Sequence, residues 1–269
     1  MRMSELYELL ELPEEVILKL DEYERNRQCD FHVDIEDLMQ DAALMQGLDG
    51  AVKDAVGEDE DGMKTLWEEL NIAAASFEEY RKRGIPVMVF IDTMKFCTRF
   101  LEEHYKTYSC YRFTWGWWFS RQLSLREFRL GALEYEYNEE QCISIHIPSD
   151  ADLSPESVRE SLLRFREFCR QYYPSWENLK MQCASWMLSP ALTKMLAEDS
   201  HILAFQKLFE GIETDYESMA VLDWVFPGYD HVSEQLPGET SLQRNMKKYL
   251  LEGGKIGWAK GTLVRREEQ

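Results

Sequence analysis

The residues whose types and spacing can do chemistry cluster between positions 134 and 186. Gln141–Pro148 (QCISIHIP) alternates strictly, which predicts a strand with Ile143, Ile145 and Ile147 on one face and Ser144 and His146 on the other. His146 lies at the C-terminal end of that strand, where open α/β sheets admit ligands, and an imidazole there can act as a general base. The bland alternative is a half-buried histidine bonded to backbone. Glu134 and Glu136 alternate with Tyr135 and Tyr137, so a glutamate facing a cleft is a rival base. In Met181–Leu188 (MQCASWML), Cys183 and Ser185 share one face of a proposed strand and Trp186 takes the other. Ser185 joins His146 and Glu134 as a candidate catalytic residue. Cys183 reads as a packed thiol, because a nucleophilic thiol needs a base beside it.

A loop then feeds a helix. Ser154 suits an N-cap and Pro155 a first helical position. The free amides of such a first turn bind phosphate, which makes Ser149, Leu153, Ser154, Glu156, Ser157 and Arg159 candidates for holding an anionic cofactor group. Arg159, Arg166 and Arg170 lie roughly on one face of this helix; Glu156, Glu160 and Glu167 also fit as their partners on a solvated face. Trp115-Gly-Trp117-Trp118-Phe119 buries large area; it serves packing, or supplies a pocket for a substrate acyl or aromatic group. Asp59, Asp61, Gly62 and Glu68 match an EF-hand loop in part, but Gly57 stands where its first carboxylate is required, so this reads as an acidic solvated loop. Zinc spacing, a P-loop, a dinucleotide fingerprint and a nucleophile elbow are all missing, and no metal is expected.

The scaffold must position these groups. The 269 residues are 45% hydrophobic and 30% charged, a globular composition long enough for two modest domains. The net charge of −20 argues against nucleic acid and against anionic membrane surfaces. No apolar run approaches a bilayer span, and the N-terminus lacks a signal-peptide pattern. Six scattered cysteines without a CxxC pair read as reduced, mostly buried thiols, hence a cytoplasmic protein. Residues 1–105 carry −15 of the charge and the rest −5.

Residues 1–120 read as a helical domain, with helices over 4–12, 13–28, 34–48, 65–83 and 86–105. Residues 121–269 alternate strand and helix. Strands are expected over 128–137, 141–148, 181–188, 220–226 and 255–264. Helices are expected after Ser154, over 190–209 and from a Thr240–Gln243 capping box to Gly253-Gly254. The fold class is α+β, a helical domain followed by a mixed sheet with flanking helices.

Several runs resemble one family. They are Trp118, Arg121, Phe128–Gly131, Leu133, Tyr135 and Glu136, then His146, Pro148, Ser149, Ala151, Leu153 and Ser154. Cys183, Ser185, Trp186, Leu188 and Pro190 follow, then Glu198, Ser200, Ile202, Phe205 and Phe209, and last Leu236, Pro237, Thr240–Arg244, Gly253 and Gly254. They are similar to a bacterial acyltransferase-domain family with a helical N-terminal domain and a GNAT-like (N-acetyltransferase) C-terminal domain, over roughly residues 65–264. The resemblance implies acetyl-CoA or another acyl-CoA as co-substrate and direct acyl transfer to a small-molecule or peptide amine. It places the central strand at 143–148, the pyrophosphate turn at 149–157 and the splayed strand at 181–188. Trp117, Trp118, Trp186, Thr240 and Arg244 then line the substrate or cofactor cleft. The turn itself has no glycine and two acids, Asp150 and Asp152, where that fold ordinarily uses glycine. A second reading therefore stands beside the first: an inactive GNAT-like module whose acidic helical domain docks a partner. The enzyme requires strands 143–148 and 181–188 to part and amides at 153–157 to be open. A closed, filled sheet favours the module.

Overall fold

Aspartates set helix boundaries in the first part of the chain. In the computed structural model, which describes residues 1–264, α1 (Met3–Leu9) and α2 (Glu14–Asn26) come first. Asp34 Oδ1 then accepts the N–H groups of Glu36 and Asp37 to open α3 (Ile35–Gln40), and Asp41 Oδ1 accepts those of Ala43 and Leu44 to open α4 (Ala42–Val56). The single helix expected over 34–48 is thus two, because the Asp41 carboxylate caps backbone amides more favourably than it sits inside a helix. The helix expected over 86–105 also divides, into α6 (Val87–Met94) and α7 (Phe96–Tyr108), after α5 (Met63–Arg83). Thr98 Oγ1 anchors α7 by donating to Leu10 O at 2.8 Å. α8 (Gly116–Leu123) and β1 (Glu127–Leu130) complete a unit spanning Met1–Leu130.

Its axis is α5, against which α1, α2, α3, α4, α6 and α8 pack. Leu66, Leu70, Ala73 and Tyr80 of α5 are fully buried, and so is Glu68. That carboxylate is held by Arg27, Nε to Oε1 at 2.7 Å and Nη2 to Oε2 at 2.9 Å, and by the Tyr23 hydroxyl at 2.8 Å. The acidic loop before α5 serves as its cap. Asp59 Oδ2 accepts Thr65 N–H and Oγ1–H, and Asp61 accepts Met63 N–H and pairs with Lys19.

The second unit, from Gly131 onward, contains β2 (Leu133–Tyr137), β3 (Ile143–His146), α9 (Pro155–Tyr172), β4 (Met181–Ser185), α10 (His201–Gln206), β5 (Phe209–Asp215), α11 (Val221–Val225), α12 (Ser241–Leu251) and β6 (Trp258–Leu263). Its strands are ordered β2-β3-β4-β6-β5, with β3 and β4 parallel and the other neighbours antiparallel. Tyr135, Ile145 and Cys183 lie abreast on one face of the sheet. There the Tyr135 ring stacks on Phe165 of α9 at 4.3 Å, and its hydroxyl meets Ser161 Oγ at 2.9 Å. A separate apolar cluster gathers Trp186, Leu192, Leu222, Phe226, Met246 and Leu250.

The helical N-terminal region and the mixed sheet with flanking helices match the expected fold class; several elements differ. The run over 128–137 turns at Gly131 (φ +80°) into β1 and β2. The strand expected over 220–226 is α11: Val221, Leu222, Val225 and Phe226 are buried while Asp223 and Trp224 are exposed, a one-sided pattern too short for its period to separate helix from strand. The helix expected over 190–209 is a 3-10 turn at Pro190–Lys194, then α10, then the start of β5. β5 itself (FEGIETD) escaped prediction, since an outer strand with acids on it lacks an apolar stripe. Where β6 begins, Gly257 (φ +75°) lies so close to the Asp215 carbonyl that a Cβ would overlap it. All six cysteines are free thiols, four of them buried, with Cys29 half-buried and Cys110 exposed. Among the described residues no helix is long and apolar enough to cross a membrane.

Arg27→Ala leaves the Glu68 carboxylate buried without its cation, and urea unfolding should show a loss of about 3 kcal/mol or more. Arg159→Ala, at an exposed position, should stay within about 0.5 kcal/mol of the parent. Equal effects of the two would mean that the Glu68 pair does not anchor α5.

Candidate active site

Strand register builds a polar face opposite the one that packs α9. Glu134 pairs with His146, and Glu136 with Ser144. Ser144 pairs with Gln182, and Gln182 with Thr262. Because paired residues share a face, Glu136, Ser144, Gln182 and Thr262 form one row across four strands. Glu134 and His146 begin a second row, which Ala184 and Lys260 continue beyond the β3–β4 boundary. His146 Nε2 lies 2.9 Å from Glu136 Oε2, so the glutamate that contacts the imidazole is the diagonal neighbour. Glu134 and Glu136 are buried at 4% and 8% exposure. The side chain of His146 keeps 21%. A carboxylate on one ring nitrogen fixes the ring's orientation.

The pairing of β3 with β4 runs from Ile143–Met181 to Ile145–Cys183. β4 continues to Ser185 along β6, while β3 ends at His146. The two parallel strands therefore pair at their starts, and His146 stands where the pairing has ended. Gln182, missed in the sequence, is 8% exposed with a buried Oε1 that has no hydrogen-bond partner. Only the register, which puts it beside Ser144, reveals it.

Ser185 lies on the other face, in the parity of Cys183 and Ile145, and its Oγ accepts Met187 N–H at 3.1 Å to start a 3-10 turn. The structure thus separates Ser185 from His146, and the strand expected through Leu188 stops at Ser185 because of that turn. Burial pushes the Cys183 thiol up to about 12, which keeps it protonated.

The turn before α9 is filled by its own acid. Asp152 Oδ1 accepts Ser154 N–H at 2.9 Å, and Oδ2 accepts the hydroxyls of Ser154 at 2.9 Å and Ser157 at 2.6 Å. Ser154 Oγ in turn accepts Ser157 N–H at 3.4 Å. Two amides expected to be open to an anion are thereby engaged within the turn. These bonds, from Ser157 first and then Ser154, hold the Asp152 carboxyl down at about 2. Leu153 is buried, whereas Ser149, Glu156 and Arg159 are exposed.

Each of the remaining candidates has its own surroundings. Trp186 is 5% exposed inside the second apolar cluster. Thr240 and Gln243 complete the capping box of α12, and Arg244 Nη1 donates to Gly238 O and Glu239 O at 2.8 Å each. In the helical unit, Trp117 is 47% exposed, and Trp118 Nε1 donates to Glu127 Oε2 at 3.1 Å. The Arg121 guanidinium lies 4.4 Å from the Trp118 ring centre and 5.5 Å from that of Trp117.

Two family models match the chain. One, described as a GNAT-like C-terminal domain, covers residues 127–263, and one described as an N-acyltransferase N-terminal domain covers residues 1–125. No curated protein matches it in sequence. Among solved structures, an acyltransferase in complex with decanoyl-CoA and teicoplanin is similar at a TM-score of 0.75 and 22% identity, covering 97% of this chain and 87% of its own. An acyltransferase mutant in complex with octanoyl-CoA gives 0.76 and 22%, covering 98% and 87%. An acyltransferase in complex with CoA and 10C-teicoplanin gives 0.69 and 19%, covering 98% and 99%. At such identities the likeness establishes the fold.

The Asp152 cap carries a pH signature. Its support is complete above the ordinary aspartate value of 3.8 and is lost as pH falls through about 2. In Asp152→Ala this acid limb should vanish, and hydrogen exchange at the Ser154 and Ser157 amides should speed up roughly fivefold at neutral pH. Unchanged exchange would show that the turn holds without its aspartate.

Proposed function

Because this chain belongs to the family defined by the GNAT-like C-terminal domain, we propose that it transfers an acyl group from acyl-CoA to an amine. The observation that carries this reading is the His146–Glu136 contact at the point where the parallel strands cease to pair. A base held there by a buried carboxylate suits a thioester entering between the strands. The amine nitrogen attacks the thioester carbonyl, the C–N bond forms, and the tetrahedral intermediate collapses with loss of the CoA thiolate. His146 takes the proton that the nitrogen sheds, and Glu136 balances the imidazolium. Glu134, buried in the same row as His146, adds to the negative potential that favours a cationic acceptor. Gln182, with its carboxamide oxygen unsatisfied, is the acceptor-side group on the next strand.

The similar solved structures hold decanoyl-CoA and octanoyl-CoA, which supports a medium-chain acyl donor over acetyl-CoA. One of them also holds teicoplanin, which supports an amine on a small or peptidic molecule as acceptor. For the CoA diphosphate we keep the segment from Ser149 to Arg159. Asp152 must release the Ser154 amide, and Ser154 Oγ the Ser157 amide, for an anion to reach them, so this turn trades internal oxygens for the ligand's phosphate.

Decanoyl-CoA with a panel of primary amines, followed by thiol release, tests the reading. His146→Ala should lower kcat by about 10²- to 10⁴-fold with little change in donor binding, and Glu136→Gln should lower it less and shift the pH profile. Asp152→Asn should tighten decanoyl-CoA binding roughly two- to fivefold by removing a repelling charge. Absence of binding to decanoyl-CoA, octanoyl-CoA and acetyl-CoA at millimolar concentration would overturn the proposal in favour of an inactive docking module.

A further inference from the structure

The helical unit buries an acid that its mechanism does not use. Glu69 of α5 is 0% exposed, and neither of its carboxyl oxygens has a hydrogen-bond partner. Asp49 of α4 is 8% exposed. Lys53 Nζ donates to its Oδ2 at 2.7 Å, while Oδ1 has no partner. Both acids converge on the first residue of α8. A Cβ on Gly116 would overlap Asp49 Oδ1 and lie 2.6 Å from Glu69 Oε1. Glycine at this position is what leaves room for two carboxyl groups against the start of the helix.

Two carboxylates cannot both stay ionised in a dry site with one ammonium between them. Burial, and then the Asp49 charge, raise the Glu69 carboxyl well above its ordinary value, against the opposing pull of Lys53. A neutral Glu69 has an O–H to donate, and Asp49 Oδ1 is an acceptor lacking a donor. Gly116 brings the two orphaned groups to one place, where a single proton held between them would give each a partner and leave one negative charge facing the positive end of α8. We propose that Asp49 and Glu69 share one proton and form a protonation-dependent latch on the first turn of α8, the helix that carries Trp117, Trp118 and Arg121. Asp49 and Lys53, both of α4, are the charged groups that act on Glu69. From α7 comes the Cys97 thiol, itself held up to about 12 by burial. On α2, Tyr23 and Arg27 are committed to Glu68. On α8, the Arg121 guanidinium lies over the Trp118 ring. Loss of the shared proton sets two like charges against Gly116 and loosens the turn.

The folded chain holds a proton that the unfolded chain releases above the ordinary glutamate value of 4.5. Stability therefore falls as pH rises from that value to the folded-state titration, then levels off. Infrared spectra of the full chain at pH 7 should show a neutral-carboxyl band that disappears in Glu69→Gln. Proton release on unfolding at pH 7 should drop by one per chain in that variant, and its thermal midpoint should depend less on pH. The indole N–H resonances of Trp117 and Trp118 should follow the titration in the parent and not in Glu69→Gln. Asp49→Asn, which keeps Glu69, should move the titration to lower pH, because a repelling charge is gone and Lys53 remains. A native parent without a neutral-carboxyl band at pH 7, or a band that survives in Glu69→Gln, would overturn the proposal. The parent spectrum decides even if a variant fails to fold.

Discussion

A carboxyl group taken out of water must find a donor, a cation or a proton, and much of this structure follows from how a chain of net charge −20 meets that demand. Glu68 obtains a guanidinium and a phenol, and α2 is thereby fastened to α5. Asp34 and Asp41 obtain backbone amides, and helices begin where they stand, while Asp59 takes an amide in the first turn of α5 from the loop ahead of it. Asp152 obtains an amide and two hydroxyls, and the turn ahead of α9 closes on itself. Glu136 obtains an imidazole, and the histidine at the end of β3 is aimed. In each case the acid's need fixes the geometry of a neighbour.

The sheet divides this chemistry by parity. Residues 135, 145 and 183 face α9 with a tyrosine, an isoleucine and a buried thiol, and carry packing. Residues 136, 144 and 182 face the other way with a glutamate, a serine and a glutamine, and carry polarity. One face is thus dry and close-packed while the other presents acceptors to whatever lies against it. The parallel pair supplies the position along the strands, since its pairing ends beside the imidazole.

Alternation and capping chemistry were legible in the sequence. The split of Ile143 and Ile145 from Ser144 and His146, the start of α9 at Ser154 and Pro155, and the Thr240–Gln243 box all follow from local rules. Register was not legible, because it is set by contacts between strands far apart in the chain. It turns Ser185 to the opposite face and brings in Gln182 from a strand nearly forty residues downstream, while the histidine's contact with the diagonal Glu136 in place of the directly paired Glu134 rests on side-chain geometry. Short runs misled as well: α11 buries one side across only five residues, and β5 buries only Phe209. The Asp152 turn shows the remaining gap. Its two acids were visible, but whether they repel an anion or replace one depends on where three oxygen and nitrogen atoms sit.

β5 ends the strand order of the second unit, and its outer hydrogen-bonding groups are what another chain would recognise. Glu210, Glu213 and Asp215 line that strand, Gly211 takes φ +61°, and the register shifts between Glu210 and Glu213. A second copy arriving in antiparallel fashion would set acid against acid across an interrupted ladder. The features that hid β5 from pattern reading therefore also make it a poor template for edge-to-edge association, and they protect a sheet that already carries two buried glutamates, Glu134 and Glu136.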